Sequence, residues 1–200
     1  MRQERGFSIV ELMGAVVLTL VLAGGFYGAF YAVRNEMYQA RMYFDTNRSV
    51  RYAEERLTRD IREAIEVTST HGAYTTGNSI LILKLPSIDA SGDVTDVAAD
   101  FDYVTYRLDT TVTPNTLVRS LDVLNGTSQR EGGVDRTNKV IARRMLSLAF
   151  SSGGTALGSL TAAQKTALEF VNVQMSAQGT TIGESQTTSV DTDVMLRNKL

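Results

Sequence analysis

The chain has 200 residues, 43% of them apolar and 21% charged, a formal net charge of -2 and no cysteine. That balance excludes a disordered chain, gives no basic footprint for a nucleic-acid partner, and leaves a core to be held without disulfides. Two hundred residues suit one compact domain plus an N-terminal segment of different character.

The chain opens with Arg2 and Arg5 in a short basic leader that ends at Gly6. Residues 7–33 then form an apolar run which, as a helix, spans about 40 Å, more than the roughly 30 Å of a bilayer core. One acid, Glu11, interrupts it. An ionisable group in hydrocarbon costs about 3 kcal/mol even on lenient insertion scales, so Glu11 calls for a partner. The basic leader places the N-terminus in the cytoplasm and everything after Arg34 outside. Gly24 and Gly28, with Gly25 and Ala29 offset by one, have the spacing that lets helices approach closely in lipid. Glycine merely tolerated by the bilayer is the plain alternative.

Gly6-Phe7 followed by Glu11, behind that leader, resembles the processing site of type IV pilins and of the pseudopilins of type II secretion. The resemblance implies that a prepilin peptidase cuts between Gly6 and Phe7, that Phe7 is then N-methylated, and that Glu11 helps subunits enter the filament. A methylated amine stays cationic, and Glu11 of a neighbouring subunit could neutralise it in the apolar layer. A secretory signal cleaved near Ala23 is the competing reading. Against it stand Glu11 within the apolar core and the continuation of the run through Phe30.

The helix is expected to continue to about Val67, since between Phe7 and Val67 there is no proline and, after Gly28, no glycine. Met37, Ala40, Phe44, Asn47, Val50, Ala53, Leu57, Ile61 and Ala64 recur every three or four residues as one apolar stripe with a polar gap at Asn47. Such a stripe needs a sheet to cover it. Residues 68–72, Thr-Ser-Thr-His-Gly, read as the stop, with His71 as a turn residue. Beyond it the chain reads as strands. Residues 79–85 form a short apolar run, and residues 103–108 and 116–121 alternate around a turn-rich stretch, which is a hairpin signal. Residues 140–150 are ambiguous between helix and strand, and residues 167–175 and 190–196 are further strands. Gly, Ser and Thr mark residues 124–133, 151–159 and 176–188 as linkers. A helix followed by runs of strands indicates an α+β fold with an antiparallel sheet on the helix.

Arg59-Asp60-Ile61-Arg62 near the helix end, the hairpin from Tyr103 to Arg119, and a last strand ending Val194-Met195-Leu196-Arg197-Asn198 are similar to minor pilins of the PilW type and to J-type minor pseudopilins. This resemblance implies a minor subunit, with Glu11 speaking against the tip-most K-type position.

Catalytic motifs are missing from the sequence. There is no cysteine nucleophile, no Gly-x-Ser-x-Gly elbow, no phosphate loop, and a single histidine. Asp89, Asp93, Asp96, Asp100 and Asp102 make the one acidic loop, an oxygen-rich setting of the kind calcium prefers, and some pseudopilins bind calcium. A solvated acidic loop is the other reading, and no cofactor is otherwise expected. Asn47-Arg-Ser and Asn125-Gly-Thr match glycosylation sequons that carry no weight here.

The sequence therefore reads as a cleaved leader (1–6), a transmembrane half-helix (7–33), a periplasmic half-helix (34–67) and a β-rich head (68–200). The expected protein is a non-catalytic minor pilin or pseudopilin of the inner membrane, with its head on the periplasmic side. Its expected partners are prepilin peptidase, other major and minor pilins or pseudopilins, the inner-membrane assembly platform and membrane lipid. An anchored periplasmic binding or adhesion protein that borrows a pilin-like stem is the alternative.

Overall fold

The computed structural model describes residues 8–94, 101–123, 128–132, 136–181 and 184–196. The long helix α1 runs Ile9–Glu63. Contacts divide the chain into two compact units, Met1–Met42 and Tyr43–Leu200. The first consists, among the described residues, of α1 alone, with its side chains almost all exposed. No proline interrupts α1, and its leucines, alanines and arginines are strong helix formers.

The second unit packs the rest of α1 against antiparallel sheets, the α+β arrangement expected for a pilin-like chain. β1 (Glu66–Val67), β4 (Ile80–Pro86), β5 (Phe101–Asp109), β6 (Thr116–Val123) and β7 (Arg136–Arg143) form a five-stranded sheet in the order β1-β4-β5-β6-β7. β8 (Met145–Ser152), β9 (Thr155–Ala156), β10 (Phe170–Thr181) and β11 (Glu184–Met195) form a second sheet in the order β11-β10-β8-β9. β2 (Thr70–His71) and β3 (Tyr74–Thr75) make a separate small hairpin, and a short helix α2 (Ala162–Thr166) precedes β10.

One core joins these layers. Val50, Ala53, Leu57 and Ile61 of α1 meet Leu81, Leu83 and Leu85 of β4, Val104 and Tyr106 of β5, and Leu117 and Leu121 of β6. Leu148, Phe150, Val171, Val173, Met175 and Val194 of the second sheet complete it. Alternation along β4, β5 and β6 supplies the inward faces, as period-two patterning requires.

Several elements depart from the sequence reading. α1 stops at Glu63, four residues before the expected end, because the backbone of Ile65 turns to donate to the carbonyl of Lys84 and Glu66 pairs with Lys84 as strand. Burial along the stripe begins at Val50, with Thr46 buried just off it, while Met37 and Phe44 stay 68% and 67% exposed. The ambiguous residues 140–150 are two strands in two different sheets, with the chain switching at Arg144, which has φ 62. A single sheet was expected, and that switch is what makes two.

The linker reading of residues 176–188 fails as well. Its described residues belong to the long hairpin of β10 and β11, paired without interruption from Phe170 opposite Met195 to Thr181 opposite Glu184. Ser and Thr are loop formers by composition, but threonine is also β-branched and suits an exposed strand face. Within residues 151–159, Gly153 and Gly154 take φ 57 and 78 to turn β8 into β9, so this is a hairpin turn and not a linker.

Candidate assembly site

The start of α1 is built from Ser8 and Glu11. The Ser8 carbonyl accepts the first helical bond from the Leu12 amide at 3.1 Å, and the Ser8 hydroxyl accepts from the Val10 amide at 3.3 Å, which makes Ser8 the N-cap. Glu11 stands three residues later, and its carboxylate accepts from the Ser8 amide at 3.0 Å. The bond from Glu11 is the return half of a capping box, with the serine hydroxyl here on the second helical amide, so that each side chain satisfies an amide the helix start leaves orphaned. The carboxylate also lies where the helix dipole favours negative charge. Ser-x-x-Glu ahead of an apolar run is the sequence signal for this box, and it adds a local role for Glu11 that charge pairing alone does not give.

Gly6 and Phe7 lie outside the described residues, so the structure does not place the expected cleavage junction. Gly24 and Gly28 lie four residues apart on α1, and a side chain added at either would meet nothing within 4 Å. The surrounding Val21, Leu22, Phe26, Tyr27 and Phe30 are more than half exposed. By length and composition this part of α1 can cross a membrane.

The head holds a buried polar cluster that the sequence reading did not single out. Asp60 and Arg119 are each 1% exposed. One Asp60 carboxylate oxygen accepts from Arg119 Nε and from the Tyr106 hydroxyl, both at 2.7 Å. Arg119 Nη1 lies 2.9 Å from Glu131 Oε1, an ion pair without hydrogen-bond alignment, and Arg56 bonds the same carboxylate. Burial, with the adjacent Asp60 carboxylate second, pushes the Tyr106 hydroxyl well above its ordinary pKa of 10.

A second group adjoins it through the next residue. Arg130 donates to Asp102 at 3.1 Å, to Glu63 at 2.6 Å and to the carbonyl of Pro86 at 2.9 Å. Asp102 is fully buried and also accepts from Ser128 at 2.7 Å. Arg130 and Glu131 thus tie the described part of the loop, residues 128–132, to α1 and to the five-stranded sheet. Glu131 has φ 50, a left-handed conformation costly for a residue with a side chain and held here by these pairs. The described part of the presumed linker 124–133 is an anchored turn.

This cluster also divides the acidic constellation. Asp102 faces the core, while Asp89 uses its carboxylate to accept from the amides of Ser91 and Asp93 at 2.8 and 3.0 Å. Asp93 is exposed. Asp96 and Asp100 lie outside the described residues. Among the described residues, no three His, Asp or Glu side chains gather in a way that could hold a metal ion. His71 is a strand residue of β2, not a turn residue. Its ring stacks on Tyr103 at 3.8 Å and its Nε2 lies 2.7 Å from Asp122.

Residues 1–27 match the family model described as the prokaryotic N-terminal methylation motif, a type IV pilin-like prepilin signal. No curated protein and no solved structure matches the chain.

Proposed function

We propose that this chain is a non-catalytic minor pilin or minor pseudopilin, cut by prepilin peptidase between Gly6 and Phe7, methylated at Phe7, and drawn through Glu11 into the initiating or tip complex of a filament. The methylation motif over residues 1–27 carries the reading. The apolar first part of α1 supports an inner-membrane anchor, with residues 7–33 crossing the bilayer and the head on the outer side. Its partners are then the peptidase, other pilins or pseudopilins, and the assembly platform of the inner membrane.

The capping box gives Glu11 a mechanism. Its carboxylate already bonds the amide of Ser8, the residue after the one whose amine cleavage would free. A subunit waiting in the membrane therefore holds its acid beside its own N-terminal end, which lessens the cost of an unpaired charge in lipid. In the filament the same carboxylate is available to the amine of a neighbour. Gly24 and Gly28 would let neighbouring stems approach closely.

Two substitutions separate the cap from the charge. Glu11→Gln keeps a side chain that completes a capping box but removes the charge, whereas Ser8→Ala removes the cap, at about 1 kcal/mol, and keeps the charge. In a deletion strain, the Gln variant should be made and cleaved normally yet give few filaments or little secretion and lose crosslinks to neighbouring pilins. The Ala variant should assemble. Normal assembly of Glu11→Gln, or equal failure of Ser8→Ala, would refute the charge-pairing step.

A further inference from the structure

Four strands end the two main sheets, and three of them are blunted against pairing with another chain. β1 and β9 are two residues long. β7 is exposed and basic, with Arg136, Lys139 and Arg143, and is broken by register shifts against β6 and by Asn138 at φ 54. Short edges, bulges and basic side chains are the usual means by which proteins keep sheet edges from pairing.

β11 is neither short, nor bulged, nor basic, and its charged residues are the acids Glu184, Asp191 and Asp193. It is a 12-residue edge strand, paired to β10 along its whole length without a register shift. At about 3.3 Å per residue it presents an edge of roughly 40 Å. It contains no proline, lysine or arginine, and its sequence is rich in threonine and valine. Among the described residues, no backbone group pairs on its other side.

The edge is also charged in a fixed pattern. Asp191 and Asp193 are exposed and two residues apart, so they share one face. Asn172 donates to Asp191 at 2.7 Å and to Asp193 at 3.0 Å, and Gln174 donates to Asp191 at 3.1 Å. These neutral amides hold the carboxylates in place and leave their charge uncompensated. A strand laid beside β11 would bring alternate side chains next to both acids.

We propose that β11 is a docking edge that accepts an extended strand of a different protein, one carrying basic side chains at alternate positions. Among the described residues, neither β7 nor β11 of a second copy supplies that strand. The basic residues of β7 are spaced three and four apart and its pairing is irregular, and a second β11 would bring only acids. The partner therefore adds a strand by main-chain hydrogen bonds, with side-chain charge setting its identity. This inference does not depend on how the N-terminal segment is processed.

The test uses the full chain in a non-ionic detergent and a fluorescein-labelled short peptide of alternating valine and lysine. Anisotropy should show saturable binding, and amide exchange should slow in β11 and not in β7. A peptide with glutamate in place of lysine should bind at least about fivefold more weakly, as should the lysine peptide on the Asp191→Asn, Asp193→Asn double variant. A peptide N-methylated on the pairing side should not bind at all. No binding, equal binding of the lysine and glutamate peptides, binding of the N-methylated peptide, protection away from β11, or self-association of the full chain through β11 would each overturn the proposal.

Discussion

Asp60→Ala is the sharpest perturbation of the head, because it removes one partner of a buried pair and leaves the other in place. Arg119 would remain 1% exposed with its Nε bond lost, and the buried Tyr106 hydroxyl would lose its acceptor. Breaking a buried ion pair in this one-sided way costs about 3–5 kcal/mol, here nearer the lower figure because Glu131 still faces Arg119 at 2.9 Å, and that is a large share of the roughly 5–15 kcal/mol that domains have in total. The assay is urea denaturation of a fragment that starts at Arg34 and keeps the whole compact unit Tyr43–Leu200. With a slope of about 2 kcal/mol/M, the midpoint should fall by roughly 2 M. Adding Arg119→Met should recover much of that loss, since Arg56 and Glu131 still pair with each other and no buried charge is left alone. A loss under about 1 kcal/mol for Asp60→Ala, or a double variant as unstable as the sum of the two single ones, would refute this account of the cluster.

Tyr106 gives a pH test: its folded pKa is raised, so it adds stability that is present below about pH 10 and is lost as pH climbs beyond the unfolded value. Tyr106→Phe should be less stable at pH 7 by about 1–3 kcal/mol for the lost bond to Asp60, yet should lose less than the parent between pH 9 and 11 in parallel urea titrations. A fragment starting at Arg34 should be a soluble, cooperatively folding monomer, whereas one starting after Leu57 lacks Val50, Ala53 and Leu57 of the core and should aggregate or melt without a sharp transition, as scattering and circular dichroism would show. Gly158→Ala should destabilise the same fragment by about 0.5–1.5 kcal/mol, because the added methyl would push the side-chain oxygen of Asn78 off its bond to the Gly158 amide, and an unchanged thermal midpoint would count against that close approach.

What could be read from the sequence follows from which signals are local. The long helix, the strands β4, β5 and β6 and the hairpin between β5 and β6 come from local apolar runs and periodicity, and they stand within a few residues of where those signals placed them. The sheet switch at Arg144 has no such signal, because one left-handed residue separates two strands that read as a single apolar run. The outer ends of the β10-β11 hairpin, with Val173, Met175, Val190 and Val194, read as strands, but its inner part within residues 176–188 was hidden because Ser, Thr, Gln and Gly resemble a linker in composition. The buried cluster was partly visible. Arg119 stands at an inward position between Leu117 and Leu121, and Asp60 lies beside Ile61 on the core face of α1. Opposite charges at two inward positions foretell a buried pair, but which residues meet is set by packing between elements. Likewise Ser8-x-x-Glu11 carries the spacing of a capped helix start, a local signal that stands beside the acid's cost in lipid.

The central claim is that this chain becomes a filament subunit by prepilin-type processing. Intact-mass analysis of the protein extracted from membranes, followed by fragmentation of its N-terminal peptide, tests it most directly. The account predicts a mature chain that begins at Phe7 and carries one methyl group on its amine, and a Gly6 variant with a bulky side chain that keeps the leader. A mature N-terminus near Gly24 would contradict the claim and assign the segment to a secretory signal.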